Sequence, residues 1–158
     1  MKKILIVAAV SAIVSATPAF ANQANTTVYA QVAPICTISA PGTTLINLSG
    51  ATAIGDVTAQ CNNAAGFTAS VSSLHSGNLA DQDNASNATV YPYTLAVGPF
   101  GNVPLTGAGT QITSNQLGGS AALINATSYG LTVNVAAPVG AAFAGTYQDT
   151  ISFSLTAN

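Results

Sequence analysis

From about residue 22 onward, hydrophobic and polar positions alternate in short runs separated by clusters of Gly, Pro, Asn and Ser. Alternation with a period of two marks half-buried strands, and the intervening clusters are turn formers. Residues 26–32 put Thr26, Val28, Ala30 and Val32 on one face and Thr27, Tyr29 and Gln31 on the other. After Pro34, further strands are predicted over residues 35–39, 44–48, 54–61, 67–72, 89–97, 128–136 and 146–156. Pro92 inside the 89–97 run predicts an edge or a bulge, because proline cannot donate to a ladder. Residues 74–88 are polar and predicted as a loop, and residues 99–109 as a turn-rich connection. Residues 121–126 suit either a brief strand or a single helical turn. This pattern predicts an all-β, immunoglobulin-like β-sandwich. The chain has no Trp, so an antibody-type Cys–Trp–Cys core is excluded.

The first residues follow a different rule. Lys2 and Lys3 precede an apolar run over residues 4–14 broken only by Ser11, and Pro18 leads into Ala19-Phe20-Ala21. A positive start, a short apolar core and a small-x-small site form a secretory signal peptide, cleaved here after Ala21. A retained membrane anchor is the alternative, but the apolar run is short for a bilayer. The expected organisation is a signal peptide over residues 1–21, an N-terminal extension over residues 22–32 and a β-sandwich over residues 33–158. Export through the periplasm to the cell surface or medium follows.

Charge then narrows the function. Both basic residues lie in the signal peptide; beyond it the charged side chains are Asp56, Asp81, Asp83 and Asp149, with His75 titratable. Nucleic-acid binding and polybasic attachment to anionic lipid both need cations that the processed chain lacks. No later segment is apolar for long enough to span a bilayer as a helix. Cys36 and Cys61, an even pair in an exported protein, are most simply a disulfide. A metal site is the alternative, but there is no C-x-x-C spacing and only one distant His. His75 with Asp81 or Asp83 and a serine would make a triad on paper, yet Leu74-His75-Ser76-Gly77 reads as a solvated turn. Asp81-Gln82-Asp83-Asn84 lacks the Gly and distant Glu of a calcium loop. No catalytic residue, metal or cofactor is predicted, and the chain is expected not to be an enzyme.

Three features together resemble one family: the alternating segment before the first Cys, the Cys36/Cys61 pair, and the ending Gly145-Thr146-Tyr147-Gln148-Asp149-Thr150 followed by an alternating strand. They resemble the spore coat protein U domain family, which includes subunits of archaic chaperone–usher pili. Ile46-Asn47-Leu48 stands where that family has an aromatic-Gly pair, and the family's mid-chain Arg is absent.

The resemblance implies a pilin-type sandwich that lacks one strand, leaving an apolar groove and an open edge. A periplasmic chaperone fills the groove first, and the N-terminal extension of a like subunit replaces it at an outer-membrane usher. Such strand addition builds a surface fibre that supports adhesion or biofilm. Ala24, Thr26, Val28, Ala30 and Val32 are the expected donor residues. Tyr147, Asp149, Ile151, Phe153 and Leu155 are the expected C-terminal edge strand, with no further strand after it to close the sheet. The same alternation over residues 26–32 also suits the first strand of a self-complemented sandwich, a secreted binding module using loops 74–88 or 99–109, or a coat or matrix protein.

Overall fold

The computed structural model describes residues 24–158. The predicted signal peptide lies outside the described residues. The chain divides into two units, Met1–Val32 and Ala33–Asn158. In the first, residues 24–32 adopt no regular structure, and Val28, Tyr29 and Val32 are highly exposed. The strand expected over residues 26–32 is not formed. Alternation supplies a face but no backbone partner, and an unpaired strand is unstable in water.

The second unit is built from ten strands: β1 Cys36–Ser39, β2 Gly50–Cys61, β3 Phe67–Ser73, β4 Asn78–Asp81, β5 Val90–Val97, β6 Asn102–Val103, β7 Thr110–Thr113, β8 Thr127–Val135, β9 Tyr147–Gln148 and β10 Ile151–Ala157. They form two antiparallel sheets. The larger runs β1-β2-β8-β5-β4-β9, with β6 also on β5, and the smaller runs β10-β3-β7.

Alternation decides what each strand buries. Val57, Ala59 and Cys61 of β2, Tyr91, Tyr93, Leu95 and Val97 of β5, and Leu131, Val133 and Val135 of β8 point inward, as do Phe67 and Val71 of β3. Their partners in sequence, such as Thr94 and Asn134, face outward, so each strand presents one apolar side. Cys36 lies directly opposite Cys61 in the β1–β2 ladder, and the two form a disulfide. This bridge and Phe67 and Leu123 anchor a second apolar cluster at one end of the sandwich.

Several predicted elements differ from the observed ones. Residues 44–48 are irregular rather than a strand. The stretch 74–88 is not all loop, because β4 forms within it and pairs with β5 and β9. Its polar residues concealed Leu79, whose side chain is buried. β5 is an interior strand despite Pro92. Tyr93 donates its N–H to Gly77 on the β4 side, while the Pro92 carbonyl accepts from Ala136 just past the end of β8. The proline nitrogen faces the same side as its carbonyl, so the missing N–H falls at the end of the β5–β8 pairing, opposite Ala136, and not within the ladder. Residues 121–126 contribute a single 3-10 turn, Ser120–Leu123. Finally, the run 146–156 is two strands in two different sheets, since β9 pairs with β4 and β10 with β3.

Candidate functional site: an open groove between the sheets

The two sheets are unequal, and the smaller one cannot cover the inner face of the larger. A groove of about 630 Å³ results. Its floor is Ile54 of β2, Leu79 of β4, and Leu131 and Val133 of β8; Ile151 and Phe153 of β10 form one wall. The irregular segment 40–48, with Ile46 and Leu48, forms the other wall. The lining is aliphatic along the floor with threonines and tyrosines at its margins, and its one carboxylate, Asp149, is engaged as described below.

β10 is an edge of its sheet, hydrogen-bonded among the described residues to β3 alone. Thr150 accepts from Leu74 of the β3–β4 turn, and Asn158 donates to Gly66. Antiparallel strands direct successive residues' backbone groups to opposite sides. Even-numbered positions of β10 therefore face β3, and the N–H and C=O of Ile151, Phe153, Leu155 and Ala157 face outward. Ile151 and Phe153 also pack their side chains on the core. Toward its far end β10 runs alongside β1, with which it forms no ladder. The edge is thus accessible mainly along the groove.

Asp149 makes this edge possible. It occupies the two-residue crossing between β9 and β10, where the chain leaves one sheet for the other, and its side chain is 1% exposed. Oδ2 accepts from Tyr93 Oη at 2.7 Å and from Ser73 Oγ at 2.5 Å. Oδ1 accepts from the backbone N–H of His75 at 3.0 Å and of Thr150 at 2.7 Å. Ser73 Oγ in turn accepts from the Gly77 N–H at 2.7 Å. One carboxylate therefore joins β3, the following turn, β5 and the residue leading into β10. A buried carboxylate is tolerated only when donors replace water, and here neutral donors do so without Lys or Arg. Burial, reinforced by the bond to Asp149, pushes the Tyr93 phenol well above its ordinary range.

His75 Nδ1 lies 3.3 Å from Asp149 Oδ1. The structure thus brings His75 to Asp149 and Ser73 rather than to Asp81 or Asp83. Ser73 is buried and donates to the carboxylate itself, so the nucleophile–base hydrogen bond that acyl transfer requires is not made. Asp81 and Asp83 instead hold loops. Asp81 accepts from the N–H of Asp83 and Asn84 and from the Asn87 amide at 2.6 Å, a bond that lowers its pKa. Asp83 accepts from the Thr146 N–H at 2.6 Å. Tyr147 packs edge-on against Tyr91 at 4.7 Å, and its hydroxyl donates to the Phe143 carbonyl. No group of three metal-ligating side chains converges among the described residues.

Of the five C-terminal residues singled out from the sequence, Tyr147 and Asp149 precede β10, and Ile151, Phe153 and Leu155 belong to it. Sequence reasoning did not find Tyr93 and Ser73 as partners of Asp149. The available signal was an acid placed at an apolar parity of an alternating run.

No protein-family model matches the chain, and no curated protein matches it in sequence. The resemblance to the spore coat protein U domain family rests on the residues quoted above. Among solved structures, the chain is similar to the CsuC–CsuE chaperone–tip adhesion subunit complex of archaic chaperone–usher Csu pili of Acinetobacter baumannii. That match has 17% identity and a TM-score of 0.47, covering 79% of this chain and 40% of the other. It is similar to the CooA pilin subunit from enterotoxigenic Escherichia coli, with 22% identity and a TM-score of 0.45, covering 67% of this chain and 68% of the other. It is similar, third, to a chaperone–tip adhesin complex of CFA/I fimbriae biogenesis, with 15% identity and a TM-score of 0.48, covering 78% and 42%. The chain spans about two-fifths of the length of the first and third of these.

Proposed function

We propose that this chain is a structural subunit of a secreted surface fibre, joined to its neighbours by donated strands. The observation that carries this reading is the groove: a half-covered aliphatic floor beside a strand edge whose outward backbone groups have no partner among the described residues. An apolar inner face left open beside an unpaired edge is a liability unless another strand fills it. A strand entering there gains main-chain hydrogen bonds from β10 and buries alternate side chains on Leu131, Val133 and Ile54.

Residues 22–32 have the chemistry of such a strand. They carry no charge, alternate at period two, and offer Ala24, Thr26, Val28, Ala30 and Val32 on one face. Donation from copy to copy is head-to-tail and does not close, so it yields a filament. This reading implies a periplasmic chaperone, an outer-membrane usher and like subunits as partners, with export through the periplasm and a role in adhesion or biofilm.

The test compares the processed chain with and without residues 22–32 by size distribution. The full-length form should assemble into polymers. The truncated form should remain unassembled and bind a synthetic peptide of residues 22–32. A full-length chain that stays monomeric, with a truncated form that ignores the peptide, would overturn the reading.

A further inference from the structure

Two loops, residues 82–89 between β4 and β5 and residues 136–146 between β8 and β9, form a second cavity of about 610 Å³. It shares no lining residue with the groove. We propose that this cavity binds a neutral sugar residue, a pyranoside at the end of a glycan or along a polysaccharide. The inference is independent of strand donation, because a strand lying in the groove leaves the cavity open.

The walls are braced against each other before any ligand arrives. Thr89 Oγ1 donates to the Ala141 carbonyl at 2.6 Å, and Val90 and Val139 exchange backbone hydrogen bonds. The Asn87 amide is divided between Asp81 and the Tyr147 hydroxyl, which in turn donates to the Phe143 carbonyl at 3.2 Å. Gly140 has φ +107°, and a Cβ there would lie 2.8 Å from Thr89 Oγ1, so the loops approach this closely only with glycine. A preformed wall spares a ligand the cost of ordering it.

What the braces leave free is uncharged. The Asn84 side-chain NH2 and the Ser86 hydroxyl line the cavity and make no hydrogen bond among the described residues; Asn84 Oδ1 accepts from the Ser86 N–H. On the other loop Phe143 and Val139 are 61% and 62% exposed. An aromatic ring beside a free amide and a free hydroxyl suits a pyranose. Its C–H face meets the negative face of the ring, and its hydroxyls both donate and accept. Concave sites with an apolar wall and a few placed polar groups are the usual form of small-ligand sites. Charge sets the ligand class. No Lys or Arg follows Lys3 to receive a carboxylate or phosphate. Asp81 and Asp83, the acids of the loop, are bonded to Asn87 and to the Thr146 N–H, not presented to a cationic ligand. A purely apolar partner would bury the Asn84 and Ser86 groups unpaired, which is costly.

Saturation-transfer NMR on a protein of residues 22–158 tests this. The probes are the methyl glycosides of glucose, galactose, mannose and N-acetylglucosamine at millimolar concentration, with glucuronate as the anionic control. At least one neutral glycoside should receive saturation, and glucuronate should not. Phe143→Leu and Ser86→Ala should each weaken that binding at least about fivefold, the scale of an anchor contact. Both should leave the melting temperature unchanged, because both side chains are exposed. Transfer to glucuronate alone, or binding that both variants keep in full, would overturn the proposal. So would transfer to none of the four glycosides, and adsorption to an octyl resin would then assign the patch to an apolar partner.

Discussion

Replacing Asp149 with alanine should cost the sandwich about 3–5 kcal/mol, more than any other single surface or loop acid in the chain. The carboxylate is 1% exposed and accepts from Ser73, Tyr93, His75 and Thr150. Its removal leaves the Ser73 and Tyr93 hydroxyls, both in buried residues, without their acceptor. Each orphaned buried donor costs about 1–3 kcal/mol, partly offset because the carboxylate no longer has to be kept from water. Tyr93→Phe removes one of the four bonds and leaves the acid with three donors, so about 1–2 kcal/mol is expected. The double variant should lose less than the sum of the two, with a coupling of at least about 1 kcal/mol, because both single changes break the same bond. Urea unfolding of an oxidised protein of residues 22–158, followed by far-ultraviolet circular dichroism, measures all three. A loss below about 1 kcal/mol for Asp149→Ala, or strict additivity with Tyr93→Phe, would show that the carboxylate does not hold the β9–β10 corner.

Other consequences follow from the same packing. Cys36→Ser with Cys61→Ser should destabilise the fold by roughly 3 kcal/mol, the loop-closure entropy of a bridge with sequence separation 25, read from the shift in urea midpoint. The raised Tyr93 pKa means that the folded state keeps its phenol protonated where the unfolded chain has lost the proton. Stability is then full below the ordinary value of 10.0 and falls above it, by no more than about 1.4 kcal/mol per pH unit. Tyr93→Phe should reduce that alkaline slope and leave the part due to Tyr129, whose phenol burial also raises; an unchanged slope would assign it to another group. Gly55→Val should cost about 1–3 kcal/mol by thermal melting, because φ is +111° there and the new side chain meets Pro41; a neutral result would mean that the bulge relaxes freely.

Much of the fold was legible one residue at a time. The parities of Val57 and Ala59, of Leu131, Val133 and Val135, and of Ile151 and Phe153 state which side each strand buries. Periodicity reports burial directly, and burial is what the strands share. An even cysteine pair likewise pointed to the disulfide, which the ladder places across directly opposed residues. The uncharged alternation of residues 22–32 and the absence of Lys and Arg beyond Lys3 are properties of the sequence and need no fold.

What periodicity cannot report is pairing. The 146–156 run alternates without a break, yet the chain changes sheets at Asp149 and Thr150, because β4 and β3 compete for its two halves. Residues 44–48 alternate as well and remain irregular, since no strand lies beside them to satisfy their backbone. β4 forms in a polar stretch because β5 and β9 flank it. The site shows the same division. Composition and alternation establish a chain poor in charge, with short half-buried strands, an even cysteine pair and one acid set at an apolar parity near residue 149. That Ser73, His75 and Tyr93 meet that acid, and that the smaller sheet stops short of covering the larger, are properties of the folded chain. Those outcomes depend on partners far apart along the chain, which local hydrophobic pattern does not encode.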